Sequence, residues 1–307
     1  PMISEIQSDI EKIEAETSDD AFANFNDRTD AIDFIDFHII DRIEGLLQQF
    51  GGNDELIKLR VRANRIKVTL ENMDTEMFRK LEAQINNSKD KGFVLRKIID
   101  NFVEECSYDN EQSNTIGYDN LDIFIDRLLS TNAIPEEKKE PEPDMVFYQK
   151  TPARIIIELS KKVNHDDFFF DIGSGIGQTV ILVNAMRSAK SRGIEFEPSY
   201  YNYARELASK FDLDNVEFIN EDARKADYSK GTVFFLYTPF IGEMMQDVLA
   251  LLQKVSLKKV IKIFTYGPCS MKIAEQNWLN CINGKTDNLY KLYEFKSLQS
   301  ADFPRGL

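Results

Sequence analysis

Residues Phe168–Gln178 read FFFDIGSGIGQ, and this stretch decides the fold. Three aromatic residues lead into an acidic one, and glycine then occupies every second position up to Gly177. The pattern predicts a buried parallel strand, a tight turn and the start of a helix. Glycines let a backbone approach a ligand closely, and the free N–H groups of a helix's first turn can face that ligand. The stretch therefore predicts a ligand site at the end of a strand.

Two classes of ligand use such a turn. Dinucleotide-binding folds require G-x-G-x-x-G, and the sixth position counted from Gly173 is Gln178 instead of glycine. Folds that bind S-adenosylmethionine have an acidic residue, a spacer and G-x-G-x-G, which Asp171–Gly177 matches at every place. A carboxylate at the strand end suits a ligand with an ammonium group. On this motif alone, a glycine-rich turn without any ligand stays open as the alternative.

Composition restricts the partners. The net charge of -14 lies in the first half of the 307 residues, because residues 1–150 hold 33 acidic and 18 basic side chains and residues 151–307 hold 19 and 20. An acidic chain without a basic stripe argues against nucleic acid, and no apolar run reaches the length of a membrane span. Scattered cysteines favour a cytoplasmic location, and two isolated histidines predict no metal site.

Residues 1–130 are predicted to form an all-α helical domain. Apolar residues recur there at three- and four-residue spacing, and strand-like alternation is absent. The pattern predicts a long second helix near Thr29–Phe50, a third capped by Asn53 or Asp54, and a separate one around Asp74–Ile85. These apolar faces favour a helical core, and one of them could support a homo-oligomer.

Residues 131–147 combine dense charge with Pro135, Pro141 and Pro143, which predicts a linker or a strap across the surface. From residue 148 to 307, strand and helix patterns alternate, which predicts an α/β domain with a parallel sheet between helices. A fifth strand is expected at Lys259–Thr265. The run Leu289–Lys296 alternates apolar and polar residues and predicts an antiparallel closing strand.

The strand ends carry candidate ligand-binding groups. Ligands of open parallel sheets bind beyond the carboxyl ends of the strands. Glu195 follows Asp171 by 24 residues, which is about where a ribose-binding carboxylate belongs, and Glu197 is the competing choice. Asp222 is predicted to accept a hydrogen bond from the adenine amino group, and the Ala223 N–H to meet a ring nitrogen.

These residues resemble a known family. The half of the chain from Tyr148 onward is similar to class I, seven-strand S-adenosylmethionine-dependent methyltransferases. Asp171–Gln178 resembles the glycine motif of the non-SET histone-lysine methyltransferases (the disruptor-of-telomeric-silencing family). Tyr148–Pro152 resembles the segment that those enzymes fold over the methionine end of the cofactor, although Lys150 stands where they have an acidic residue.

A second group of enzymes is equally similar. The seven-strand protein-lysine methyltransferases that act on mitochondrial and ATP-synthase substrates have a Thr-Pro before the helix and a Leu-Tyr pair on strand four. This chain has Thr151-Pro152 and Leu236-Tyr237. Both resemblances imply a Rossmann-like seven-stranded methyltransferase sheet preceded by the helical domain. They also imply S-adenosyl-L-methionine as cofactor and S-adenosyl-L-homocysteine as product.

The expected site follows from the motifs and the resemblance together. The predicted cofactor-binding residues are Thr151, Asp171, Gly173, Ser174, Gly175, Gly177, Gln178, Glu195, Phe196 (against the adenine face), Asp222 and Ala223. The predicted acceptor-side residues are Tyr148, Tyr237, Thr238 and Phe240. No metal is expected.

The expected acceptor is a protein lysine. An apolar, aromatic channel would favour a neutral amine. Enzymes that methylate the planar amino nitrogens of adenine or glutamine usually carry Asn/Asp-Pro-Pro-aromatic on strand four, and Tyr237–Phe240 has neither amide nor carboxylate. The missing basic segments argue against a histone. Two alternatives stay open: a methyltransferase of a small metabolite with the helical domain as lid or dimer surface, and an inactive interaction protein.

Overall fold

The computed structural model describes residues 2–18, 22–105, 118–131 and 133–298. The chain divides into two compact units, Pro1–Gln84 and Ile85–Leu307. Cys106, one of the three scattered cysteines, lies outside the described residues.

The helices are α1 (Met2–Ser18), α2 (Phe25–Phe34), α3 (Asp41–Phe50), α4 (Asp54–Asn86), α5 (Lys91–Glu105), α6 (Asn120–Leu129), α7 (Ala153–Lys162), α8 (Gln178–Arg187), α9 (Pro198–Lys210), α10 (Gly242–Ser256) and α11 (Cys269–Ala274), with a π-helical turn at Ile35–Ile40. The strands are β1 (Phe168–Ile172), β2 (Lys190–Glu195), β3 (Val216–Asn220), β4 (Val233–Leu236), β5 (Lys262–Thr265), β6 (Leu279–Cys281) and β7 (Tyr293–Ser297).

The first unit is helical and closes around isoleucine-rich faces. Ile6 and Ile10 of α1 and Ile39 of the π-helical turn are fully buried in one cluster with α4 side chains. The two helices expected after Asn53 are in fact one 33-residue helix, α4. It continues through Asp74 because that carboxylate points inward, where it accepts a 2.6 Å hydrogen bond from Arg28 Nε.

The second unit is built on a seven-stranded sheet, as expected. Its strand order is β3-β2-β1-β4-β5-β7-β6. The first five strands are parallel, and β7 pairs antiparallel with both β5 and β6. The strand order reverses between β1 and β4, which is where such sheets bind ligands. The expected closing strand is therefore confirmed as β7, whereas the three-residue β6 is too short for a recognisable alternation.

The boundary between the units lies between Gln84 and Ile85 instead of in the predicted linker at 131–147, and α5 and α6 pack against α8 and α7 of the second unit. The rings of Phe102 and Phe124 stack at 4.0 Å. The Asp122 carboxylate accepts the Ala153 N–H at 2.7 Å at the start of α7. The helical spacing of apolar residues predicts both helices, but it does not show against which unit they pack.

The proline-rich segment is a strap, which we define as residues 136–145. It crosses the carboxyl edge of the sheet. There it makes hydrogen bonds with residues that follow three of the strands: Glu197 after β2, Arg224 after β3 and Ile241 after β4. In the part of the chain that the structure describes, no helix has the length and apolarity to cross a bilayer.

Candidate active site

The glycine turn joins β1 to α8 in the predicted manner. Gly173, Gly175 and Gly177 have φ angles of 80, 52 and 83°. Only glycine adopts this left-handed region without strain. A Cβ at Gly175 would collide with the ring of Tyr148. The turn is therefore closed by Tyr148 from the segment that precedes α7.

A cavity of about 120 Å³ lies beyond the ends of β1, β2 and β4. Most predicted site residues line it: Tyr148, Thr151, Asp171, Gly173, Ser174, Gln178, Glu195, Phe196, Ala223, Tyr237, Thr238 and Phe240. Gly175, Gly177 and Asp222 do not. The two glycines instead leave room for side chains that pack directly against them. A Cβ at Gly177 would collide with Phe218 and Ala204, as one at Gly175 would with Tyr148.

The cavity contains polar atoms that need a partner. The Ser174 hydroxyl and both side-chain polar atoms of Gln178 are buried and have no hydrogen bond in the structure. Leaving a buried polar group unpaired costs about 1–3 kcal/mol. Both residues line the cavity, and a ligand rich in amino, carboxyl and hydroxyl groups could satisfy them. These atoms fit the predicted cofactor.

Two buried carboxylates give the cavity an affinity for cations. Asp171 and Glu195 are 4% and 9% exposed. Burial, and then the charge of Glu195, raises the pKa of Asp171 well above its usual range. Burial also raises the pKa of Glu195, although the N–H groups of Glu197 and Gly175 oppose this. A sulfonium or ammonium group here would stabilise the ionised forms of both acids.

Glu195 and Glu197 both line the cavity, but their carboxylates make different hydrogen bonds. The Glu195 carboxylate accepts N–H bonds from Gly175 and Glu197, both at 2.7 Å, so it lies between the turn and the cavity. Glu197 caps α9 through Ser199 and accepts the N–H groups of Lys138 and Lys139 at 3.0 and 2.8 Å. These bonds lower the pKa of Glu197 to about 2. Its carboxylate is committed to the strap.

The Asp222 carboxylate, predicted to bind the adenine amino group, is bonded to Arg224 in this structure. Arg224 donates to both of its oxygens, with Nη2 to Oδ2 at 2.7 Å, and Asp222 is not among the residues that line the cavity. Arg224 also binds Glu142 of the strap. Sequence reasoning missed this because Glu142 lies far from Asp222 along the chain. Ala223 does line the cavity.

Phe196 lines the cavity as expected, but one face of its ring is covered. The Lys139 ammonium lies 4.1 Å from the ring centroid. Sequence reasoning also missed the strap residues Glu137, Pro141 and Met145, which line the cavity. No motif marks them, because the resemblance begins only at Tyr148.

The side of the cavity next to the end of β4 is rich in tyrosine. The rings of Tyr237 and Tyr266 lie 5.0 Å apart, and the Tyr237 hydroxyl donates to Gln149 Oε1 at 3.1 Å. Thr238 has a left-handed φ of 38°, held by the Cys269 N–H, which donates to its hydroxyl. Burial raises the pKa of Tyr237 to about 12. Gln149 was not predicted and lines the cavity.

Phe240 and Lys150 have mainly structural contacts. Phe240 is 4% exposed and belongs to the hydrophobic core beneath the cavity. Its ring therefore lines the cavity and also packs in the core. Lys150 turns away from the cavity and binds Asp126 of α6 at 2.7 Å. Lys150, which replaces the acidic residue of the family pattern, therefore joins the Tyr148–Thr151 segment to α6 through this ion pair.

Part of the chain matches a known protein family. Residues 146–295 match the family model described as "Histone methylation protein DOT1", which is just under half of the chain. An uncharacterized protein of Methanocaldococcus jannaschii is 30% identical over 110 residues, 34% of this chain and 42% of that protein. A ribosomal protein L11 methyltransferase of Clostridium botulinum is 30% identical over 83 residues, 26% of each chain. The chain thus spans less than half the length of these relatives.

Among solved structures, an RNA methyltransferase of Salinibacter ruber in complex with S-adenosyl-L-homocysteine has a TM-score of 0.38 at 23% identity. The match covers 52% of this chain and 99% of that one. Among the described residues, no group of three or more potential metal ligands occurs. With the glycine motif, the strand order and the family match in agreement, residues 146–295 form a DOT1-like class I S-adenosylmethionine-dependent methyltransferase domain.

Proposed function

We propose that this protein transfers a methyl group from S-adenosylmethionine to the side-chain amine of a lysine in another protein. The observation that carries the proposal is the aromatic acceptor end of the cavity. Tyr148 and Tyr237 line it, and Tyr266 lies against Tyr237. This end of the cavity offers aromatic faces and phenol oxygens to an amine.

The cofactor, when bound, supplies a methyl group on a positively charged sulfur. Asp171, Ser174, Gln178 and Glu195 are the residues that would hold it, because they present buried acceptors and donors to the cavity. Direct displacement by an amine depends mainly on positioning, and the tightly packed glycine turn supplies rigid positions.

The acceptor amine has to arrive neutral, since an ammonium has no lone pair. A buried, aromatic surrounding disfavours the charged form of an amine. Tyr237 is protonated at neutral pH, as an ordinary phenol is, and burial raises its pKa further, to about 12. Its O–H donates to Gln149, so its oxygen remains able to accept an N–H from the incoming amine. Tyr237 would thereby orient the lone pair of the amine nitrogen toward the methyl group.

A protein acceptor has two further supports. The matched family is described as acting in histone methylation, and one relative is a ribosomal protein methyltransferase. In addition, the end of β4 presents Tyr237 and Thr238, and neither is the amide or carboxylate that holds a planar amino group.

Transfer of tritiated methyl groups into cell lysate tests the proposal. The expected result is label that protease removes and nuclease leaves, and acid hydrolysis should return methylated lysine. The matched control is Asp171→Asn, which keeps the side-chain shape and should abolish the label. Label confined to RNA or to small molecules would refute the protein assignment.

A further inference from the structure

The strap forms one wall of the cofactor cavity. Glu137, Lys139, Pro141 and Met145 line it opposite Asp171. The volume of about 120 Å³ is below the roughly 300–1,000 Å³ of pockets that hold small-molecule ligands. Because the opposite wall is the rigid sheet edge, the strap is the wall that has to move outward for a nucleoside-sized ligand to enter.

Both ends of the strap are held by backbone groups. At its start, the Lys138 and Lys139 N–H groups donate to the Glu197 carboxylate. At its end, the Ile241 N–H donates to the Asp144 carbonyl at 2.8 Å, and the Val146 N–H donates to the Pro239 carbonyl at 3.1 Å. These anchors tie the strap to α9 and to the end of β4.

The middle of the strap is held by side chains instead. Arg224 Nη2 lies 2.8 Å from both carboxylate oxygens of Glu142 and 2.7 Å from Asp222 Oδ2. The side chains of Arg224 and Glu142 are 30% and 42% exposed. A partly exposed ion pair is weak and exchanges with water. Of the strap contacts described above, it is the one best suited to opening.

We propose that Arg224 and Glu142 are positioning residues that latch the strap over the bound cofactor, so that the cofactor enters and leaves when this ion pair opens. The inference rests on the cofactor assigned above and is independent of the acceptor. The Asp222 carboxylate belongs to the same cluster, since it holds the other side of the Arg224 guanidinium.

The test uses the full chain with Glu142→Gln and Arg224→Gln. Dissociation of S-adenosylhomocysteine is followed by stopped-flow displacement, and hydrogen exchange of strap amides is measured without ligand. We expect dissociation about two- to fivefold faster, the range that a partly exposed ion pair contributes, and faster exchange in the strap. The double variant should be no faster than Arg224→Gln alone, because that substitution already removes the contact with Glu142.

The matched control is Glu217→Gln. It removes a comparable ion pair, between Arg192 and Glu217 on β2 and β3, which has no contact with the strap. This variant should release the ligand at the wild-type rate. Wild-type dissociation and exchange in both latch variants would overturn the latch while leaving the cofactor assignment intact. Failure of the wild-type chain to bind the probe at all would overturn both.

Discussion

The Glu195 carboxylate accepts the Gly175 N–H at 2.7 Å, and this bond joins the end of β2 to the glycine turn after β1. It fixes the acid and the turn in one arrangement. The same carboxylate lines the cavity, so the group expected to hold the ribose also sets the position of the turn.

Binding of the cofactor should weaken as pH falls. Both Asp171 and Glu195 have a raised pKa, so they take up protons above the pH at which ordinary carboxylates do. Protonation removes the charges that attract the sulfonium, and S-adenosylmethionine should therefore lose affinity more steeply than the uncharged-sulfur product. Calorimetry of both ligands at several pH values checks this. Equal slopes for the two ligands would contradict it.

Gly175→Val should abolish cofactor binding and leave the fold intact. The turn holds φ at 52°, where valine is strained by about 1–3 kcal/mol, and the new side chain would collide with Tyr148. The loss therefore comes from displacing the aromatic cover of the turn. Calorimetry measures binding, and circular dichroism measures the fold. A variant that binds with near-native affinity would disprove this role.

Tyr237→Phe should lower kcat about tenfold without changing the affinity for S-adenosylhomocysteine. The substitution removes the hydroxyl that bonds Gln149 and keeps the ring against Tyr266. A single hydrogen bond to a reacting group is worth about 1.4 kcal/mol, which is tenfold in rate. Gln149→Ala should have a similar effect and should not add to it. Unchanged turnover in both variants would exclude the pair from acceptor positioning.

Asp122→Asn should flatten the pH dependence of stability. Burial raises the pKa of Asp122 from 3.8 to about 7. The native state then binds a proton that the unfolded state has lost, so the free energy of unfolding should fall as pH rises from about 4 to about 7. Urea denaturation at pH 5 and pH 8 should show a larger fall for wild type than for the variant. Parallel curves would contradict the assignment.

Asp74→Asn should destabilise the first unit by about 3–5 kcal/mol. The side chains of Arg28 and Asp74 are each 3% exposed, and removing one partner leaves a buried charge. Asp36→Asn breaks the more exposed pair with Lys67 and should cost less than about 1 kcal/mol. Urea denaturation of both variants makes the comparison. A similar cost for the two would contradict the importance of burial.

Local pattern was enough to predict the sheet, the glycine turn and twelve of the residues that line the cavity. Asp171, Ser174, Gln178 and Glu195 lie where the motif placed them, because a strand, a tight turn and a helix start are decided by neighbours in sequence. The predicted helix boundaries were wrong where distant contacts, instead of neighbouring residues, decide where a helix ends. Asp74 resembles a helix start by residue type, yet the helix continues because Arg28 draws the carboxylate into the core.

The sequence by itself determined the class of fold and the cofactor chemistry, since both depend on residues that are adjacent in the chain. Tertiary structure alone decided which acid does what. Glu195, Glu197 and Asp222 all lie at or just after strand ends, but only contacts with distant residues join the first to the glycine turn, the second to the strap and the third to Arg224. A carboxylate binds whichever donor is nearest, and long-range packing determines which donors come near.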